Sequence, residues 1–412
     1  MARLLARLAT GALEASLADT PVVLVHGPRQ CGKTTLAQTV GDAGGYTYLT
    51  FDDPVTLASA TGDPAGFLSE LPPRVILDEV QRAPGLLSAI KRVVDRERTP
   101  GRFLMTGSAN VLLVPTLADS LAGRIGLLRL HPLAQAELSR KSSHLLDTLF
   151  ARRIKVRRVH RLGKALAGRV AAGGFPAALA RKQAPRRAAW YRDYVDTIVQ
   201  RDVRDMTRIA SLDILPRLLA LAAGQTARLI NVSDLAGPFQ VSRPTIRDYV
   251  TLLQRVFLVD ELPPWHRNRL SRLVKTPKLH ITDTGLGCAL LGLDADAVWA
   301  DKTVFGQLLE TFVYQELRRL ASGDSGDVRF HHYRDRDGYE VDIVIERGAG
   351  DVVGIEVKAG ATVTAGDFRG LRKLREAAGD RFVAGVVLYD GETSAPFGDG
   401  FFALPISALW EP

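Results

Sequence analysis

The sequence predicts an α/β protein: a parallel sheet covered by helices, a helix-rich middle, and a smaller α/β block at the C-terminal end. Three observations carry this. Residues 20–135 alternate short apolar runs with helical stretches, the pattern of strands joined by crossover helices. Residues 213–265 carry apolar side chains at helical spacing. Residues 300–412 open on a helix and then show short strands around 340–346, 352–358 and 382–389, with a helix over 365–378. A chain of 412 residues exceeds one ordinary domain, and the changes of pattern divide it at 1–140, 141–275 and 276–412.

Composition sets the outer limits. Apolar residues make up 46%, enough for each part to bury a core. Lys and Arg number 54 against 45 Asp and Glu, a formal charge of +9 that favours a polyanionic partner such as DNA or RNA. The basic stretch 151–169 holds eight Arg or Lys and no acid, and reads as a solvated helix face. Only Cys31 and Cys288 are present, too few for a disulfide framework or a zinc site, which fits a reducing cytosol. The first 17 residues read as an amphipathic helix, not a secretory signal, because Arg7 interrupts the leucines and Glu14 follows soon after. No run of about 18 uncharged apolar residues occurs, so no membrane span is expected and the protein is expected in the cytoplasm.

The strands of the first block are expected at Val22–Val25, Tyr46–Phe51, Val75–Leu77, Phe103–Met105 and Ile125–Leu130. Between the first strand and the next helix lies Gly27-Pro28-Arg29-Gln30-Cys31-Gly32-Lys33-Thr34, which matches G-x-x-x-x-G-K-[ST] at every fixed position. Gly27 and Gly32 let the backbone curl so that the N–H groups of the loop, Gln30 among them, point at phosphates. The helix that opens at Thr35 adds its N-terminal dipole. Lys33 is placed to reach the β- and γ-phosphates of ATP and Thr34 to ligate Mg²⁺. Val75-Ile76-Leu77-Asp78-Glu79 is an apolar strand ending in two carboxylates. Asp78 is expected to hold Mg²⁺ and Glu79 to orient or deprotonate the attacking water. Thr106 and Ser108, with Asn110 beyond them, end another apolar strand and are candidates for sensing the γ-phosphate. Arg124 follows Gly123 and is a candidate for stabilising transition-state charge, in cis or from a neighbouring subunit of an oligomer.

These segments, with Ser120-Leu121-Ala122-Gly123-Arg124-Ile125, Gly173-Gly174-Phe175-Pro176, Arg201-Asp202-Val203, Leu262-Pro263-Pro264 and Lys278 to Leu286, resemble the AAA-family ATPases of bacteria and archaea that carry a C-terminal domain of unknown function. The resemblance spans nearly the whole chain. It implies ATP binding, and it implies that the Phe103 strand lies between the strands of the phosphate loop and of Asp78. One departure is Cys31, where similar proteins carry a small aliphatic residue; the backbone does the cradling there.

In the middle block, Asn231 caps a short helix and Ser242 caps a second one, Arg243 to Val256, whose apolar face is Ile246, Tyr249, Val250 and Leu253. A short helix, a tight turn and a helix with Arg243, Thr245 and Arg247 at its leading edge is the spacing of a winged helix. Asp248 on the same face speaks against a phosphate backbone there.

In the last block, Glu310 lies on a helix, Asp342 on one strand, and Glu356 and Lys358 on one face of the next. A hairpin is expected to set Asp342 beside Glu356. This order resembles the restriction-endonuclease-like fold, and the resemblance implies Mg²⁺ or Mn²⁺ on Asp342 and Glu356, with Lys358 polarising the attacking water. Three functions follow: an ATP-driven switch acting on nucleic acid or a partner, an ATP-dependent metal nuclease, and an ATP-gated module that binds a protein partner without nucleic acid.

Overall fold

The computed structural model describes residues 4–108, 123–204, 212–268, 276–323 and 327–411. The chain forms two compact units, one built almost wholly from residues up to Leu133 and the other from Ala134 onward.

The first unit is a parallel sheet of β1 (Val22–His26), β2 (Thr47–Thr50), β3 (Val75–Asp78), β4 (Phe103–Gly107) and β5 (Ile125–Arg129), in the order β2-β3-β4-β1-β5. β4 therefore lies between β1 and β3, as expected. Strand alternation sends Val22 and Leu24 to one face, into a core with Phe103, Met105, Leu77 and Ile90. Val23 and Val25 face the other way, against Leu36, Val40, Ile76 and Leu104. Helices cover both faces: α1 (Thr10–Asp19) and α2 (Lys33–Gly44) on one side, and α3 (Pro54–Gly62), α4 (Pro64–Ser69) and α5 (Leu86–Arg96) on the other. That double cover is why β1, β3 and β4 read as continuous apolar runs. The N-terminal helix begins only at Thr10, later than its sequence pattern suggests.

The second unit holds two sheets. One contains β6 (Arg228–Leu229), β7 (Val259–Leu262) and β8 (Lys278–Ile281), ordered β6-β8-β7 and antiparallel throughout. Around it run helices Ile214–Gly224, Val232–Ala236 and Arg243–Arg255. The expected division at 275/276 falls inside this sheet. Phe257 sits in a turn with φ 59°, and β7 starts two residues later. The other sheet is β9 (Val328–Arg334), β10 (Glu340–Arg347), β11 (Asp351–Lys358), β12 (Phe382–Tyr389), β13 (Ala395–Pro396) and β14 (Phe401–Pro405), ordered β13-β14-β12-β11-β10-β9. Helix Lys302–Ala321 precedes it, and helix Arg369–Ala378 joins β11 to the parallel β12.

The basic stretch is not the expected helix face before Lys164. The six cations of residues 152–161, with no acid among them, would repel one another along a helix. Here they run extended beside the C-terminal sheet instead. Val159 N–H donates to the Glu392 carbonyl (2.7 Å) and Ser394 N–H to that of Arg157 (2.8 Å). Arg158 pairs with Glu392 (2.7 Å) and Arg161 with Asp390 (3.0 Å), while Arg152 donates to the Phe382 carbonyl (2.9 Å). Much of this positive charge is thus neutralised or hydrogen-bonded inside the chain.

Candidate functional site

The carboxyl ends of the five parallel strands converge, since Thr50 pairs with Asp78, Val25 with Thr106, and His26 with both Gly107 and Arg129. The crevice beyond such strand ends is where α/β sheets bind ligands. The loop 27–32 leaves β1 there. A Cβ on Gly27 would lie 2.1 Å from the Leu130 carbonyl oxygen, and Gly32 adopts φ 103°, a left-handed conformation that strains other residues. Cys31 is buried, and burial pushes its thiol up, so it acts as packing and not as a nucleophile.

Lys33 Nζ curls onto the loop's own carbonyls, Gly27 at 3.1 Å and Pro28 at 3.0 Å. The Thr34 hydroxyl donates to Asp78 Oδ1 at 2.9 Å, and that of Thr106 donates to the same oxygen. Glu79 follows with φ 58°, an uncommon conformation for a residue with a side chain and one that clusters at functional sites. Its N–H donates to the Thr106 hydroxyl (3.2 Å), and its carboxylate accepts from Ser108 (3.2 Å) and from Gln81. Gln81 also donates to Ser108 (2.9 Å). Asp78, Glu79, Thr106 and Ser108 thus form one network with Thr34. Hard oxygens of Thr34 and Asp78 side by side suit Mg²⁺. Asn110 lies outside the described residues.

Three residues escaped the sequence reading. The Tyr48 hydroxyl donates to Asp78 Oδ2 at 2.9 Å; burial and that carboxylate push it up to about 12, so it stays a donor. Gln81 holds Glu79, as above. Arg7 donates to the Cys31 carbonyl (2.8 Å) and the His131 carbonyl (2.6 Å), bracing the loop from the N-terminal segment. A polar side chain two residues beyond Glu79 was the available signal for Gln81; for Arg7 the sequence held none.

Arg124 is the correction. It stands before the first residue of β5, and Ile125 pairs with Val22, the start of β1. The site lies at the other end of those strands, roughly 16 Å away along five extended residues. Arg124 instead clasps Asp95 on α5 with both Nε and Nη2. No cis role is compatible with this placement. Arg124→Ala is expected to leave ATP turnover within about twofold, as for a surface ion pair. A loss of about a hundredfold in a phosphate-release assay would return Arg124 to the reaction through a neighbouring subunit.

His26, the last residue of β1, is buried, and its Nδ1 has no hydrogen-bond partner among the described residues. Burial, then the charges of Arg129 and Lys33, lower its pKa from 6.5 to about 3. Between those values the unfolded chain binds a proton that the folded chain refuses. Stability present above pH 6.5 is therefore lost on acidification, by about 1.4 kcal/mol per pH unit. In urea unfolding at about pH 7 and about pH 5, His26→Leu should narrow the difference between the two. An unchanged difference would exclude His26 as the cause.

The second unit gathers the remaining predicted residues. Ile343 pairs with Ile355, so Asp342 and Glu356 are neighbours across the β10–β11 hairpin, and Val357 N–H donates to Asp342 Oδ2 (2.9 Å). Lys358 lies 3.5 Å from Glu356 and 3.6 Å from Asp367. Glu310 joins them from helix Lys302–Ala321. The unforeseen member is Lys278, at the head of β8, whose Nζ lies 2.8 Å from Glu310, 2.6 Å from Glu340 and 3.4 Å from Asp342. Burial, then the charge of Asp342, pushes Glu310 and Glu356 well above the usual carboxylate range. Burial opposes the charge of Lys278, but Asp342, Glu310 and Glu340 outweigh it and raise its pKa. Among the described residues no group of three or more His, Cys, Asp or Glu is placed to hold a metal ion.

Two family motifs turn out to be structural. Asp283 accepts from Gly174 N–H (2.7 Å), Gly285 N–H (3.0 Å), the Tyr191 hydroxyl (2.9 Å) and Arg319 (3.2 Å). It thereby knots Gly173–Pro176 to Thr282–Leu286.

The model of an AAA domain matches residues 19–139, and those of two domains of unknown function, DUF8612 and DUF4143, match 163–297 and 305–409. The uncharacterized proteins Rv2008c of Mycobacterium tuberculosis and Mb2031c of Mycobacterium bovis are each 30% identical over 404 residues, 98% of this chain and 84% of theirs. The chain belongs to their family. It is an AAA-domain protein with an N-terminal parallel sheet of the P-loop class and a C-terminal mixed sheet. Among solved structures, the Thermotoga maritima RuvB Holliday junction branch migration motor is 19% identical, matching 62% of this chain and 87% of that one with a TM-score of 0.29. Drosophila ORC bound to AT-rich DNA and Cdc6 is 13% identical, matching 69% and 89% with a TM-score of 0.22. At such scores nothing about this chain follows from the likeness. No helix among the described residues is long and apolar enough to cross a membrane.

Proposed function

We propose that this AAA protein is an ATP-hydrolysing switch whose nucleotide state governs how its second unit engages double-stranded DNA. The observation that carries the ATPase reading is the network joining Thr34, Asp78, Glu79, Thr106 and Ser108 beside Lys33. Lys33 leaves the Gly27 and Pro28 carbonyls to meet the β- and γ-phosphates. Glu79, released from Gln81 and Ser108, orients the attacking water and takes its proton. Thr106 and Ser108, tied to the two carboxylates, sense whether the γ-phosphate is present. Thr34 and Asp78 would hold Mg²⁺, which neutralises phosphate charge when bound.

The DNA reading rests on the middle of the chain. The order helix, strand, helix, helix, strand, strand over 214–281, with its antiparallel sheet β6-β8-β7, supports a winged helix. The expected caps form: Asn231 accepts from Ser233 N–H (3.0 Å) and Ser242 from Thr245 N–H (3.3 Å). Ile246, Tyr249, Val250 and Leu253 are buried, and Arg243 and Arg247 are exposed at the leading edge of their helix. The C-terminal order of helix, three antiparallel strands, helix and parallel strand supports the restriction-endonuclease-like reading. Cleavage has less support than binding, because Lys278 stands among the carboxylates.

Fluorescence anisotropy with a labelled duplex tests this. Arg243→Glu with Arg247→Glu should weaken binding at least about tenfold, and wild-type affinity should fall steeply with salt. Equal affinity for the variant, or none for duplex DNA at low salt, would leave a protein partner as the target.

A further inference from the structure

We propose that the ammonium group of Lys278 permanently takes the place of a divalent cation in the C-terminal carboxylate cluster, making the cluster a metal-free fastener between β8 and the C-terminal sheet. This goes beyond the ATP-switch reading and does not depend on it.

Three oxygens, from Glu310, Glu340 and Asp342, surround Lys278 Nζ at 2.6–3.4 Å. These are the distances of an ammonium to its acceptors, so the Lys278 charge already occupies the place among these oxygens that Mg²⁺, which demands a near-octahedral set of its own, would need. A dication added beside the ammonium would face a like charge a few ångströms away in a poorly solvated site. Lys278 cannot simply swing out, because its side chain is only 2% exposed and its backbone is paired within β8. Nor is Lys278 a generic surface ion pair: removing one partner of a buried pair leaves uncompensated charge out of water, whereas exposed pairs contribute little.

Position gives the arrangement its use. Lys278 lies on β8, within the 163–297 family match; its carboxylate partners belong to the 305–409 match. One buried cation thus pins the two parts of the second unit. The lysine supplies the positive charge that these carboxylates would otherwise draw from a cation. Removing the lysine should expose a latent site: four acidic side chains, Glu310, Glu340, Asp342 and Glu356, would then face one another without a cation from β8.

The test uses the full chain without nucleotide and Mn²⁺ as the probe, with bound metal read by loss of the free-ion electron paramagnetic resonance signal. Wild type should show no Mn²⁺ site that Asp342→Asn removes. Lys278→Met should gain one site, at least about tenfold tighter than any in wild type, that Asp342→Asn abolishes again. A wild-type site lost in Asp342→Asn would overturn the proposal, as would a folded Lys278→Met that binds no additional Mn²⁺. Should Lys278→Met not fold, thermal unfolding of wild type decides: a midpoint raised by Mn²⁺ in wild type but not in Asp342→Asn overturns the proposal, and Mn²⁺ shifts that are equal in both proteins uphold it.

Discussion

Lys33→Ala is expected to abolish ATP binding while leaving the fold intact. The ammonium is the full positive charge that the loop brings to the β- and γ-phosphates, and the loop N–H groups supply dipoles alone. Hydrogen bonds to charged groups contribute about 1.5–3 kcal/mol each. Losing one to each of two phosphates therefore weakens Kd by on the order of 10²–10⁴. Within the protein itself Lys33 bridges the Gly27 and Pro28 carbonyls, so thermal unfolding without nucleotide should scarcely change. Filter retention of labelled ATP beside a melting curve separates the two effects. Wild-type retention by the variant would remove the loop from the nucleotide site.

Glu79→Gln should keep ATP and lose turnover. Gln matches Glu in size and can adopt the same left-handed backbone, so the contacts around Ser108 and Gln81 need only small adjustment. What it cannot do is accept a proton. General-base contributions run to about 10²–10⁴, and phosphate release should fall by that factor while ATP affinity stays within a few-fold. Hydrolysis at the wild-type rate would move the base elsewhere in the network. Gln81→Ala is the natural companion, since it frees Glu79 without removing it.

Much of the molecule was legible in its sequence because the relevant physics is local. The phosphate loop is a backbone device whose glycines and lysine sit within eight residues, and the central strands of its sheet are buried on both faces, so their apolar runs are unbroken. The C-terminal strands fell within one residue of their expected limits, and the hairpin set Asp342 beside Glu356 as its register required. What failed was non-local. Arg124 follows a glycine in a promising motif, but only the register of β5 against β1 shows that it lies at the wrong end of the sheet. Lys278 lies 32 residues from Glu310 and 64 from Asp342, and periodicity along β8 cannot say which distant carboxylates will face it. The basic stretch misled for the same reason, as its partners, Phe382 to Ser394, lie more than 200 residues away.

The measurement that bears most directly on the switch is the duplex affinity of Glu79→Gln with Mg²⁺ and ATP, with Mg²⁺ and ADP, and without nucleotide, by anisotropy at fixed salt. A tenfold or greater difference between the ATP and ADP states is predicted, absent in Lys33→Ala, which corresponds to about 1.4 kcal/mol of coupling between the sites. Identical affinities in all three conditions would show that nucleotide and DNA are uncoupled, and the switch would be wrong.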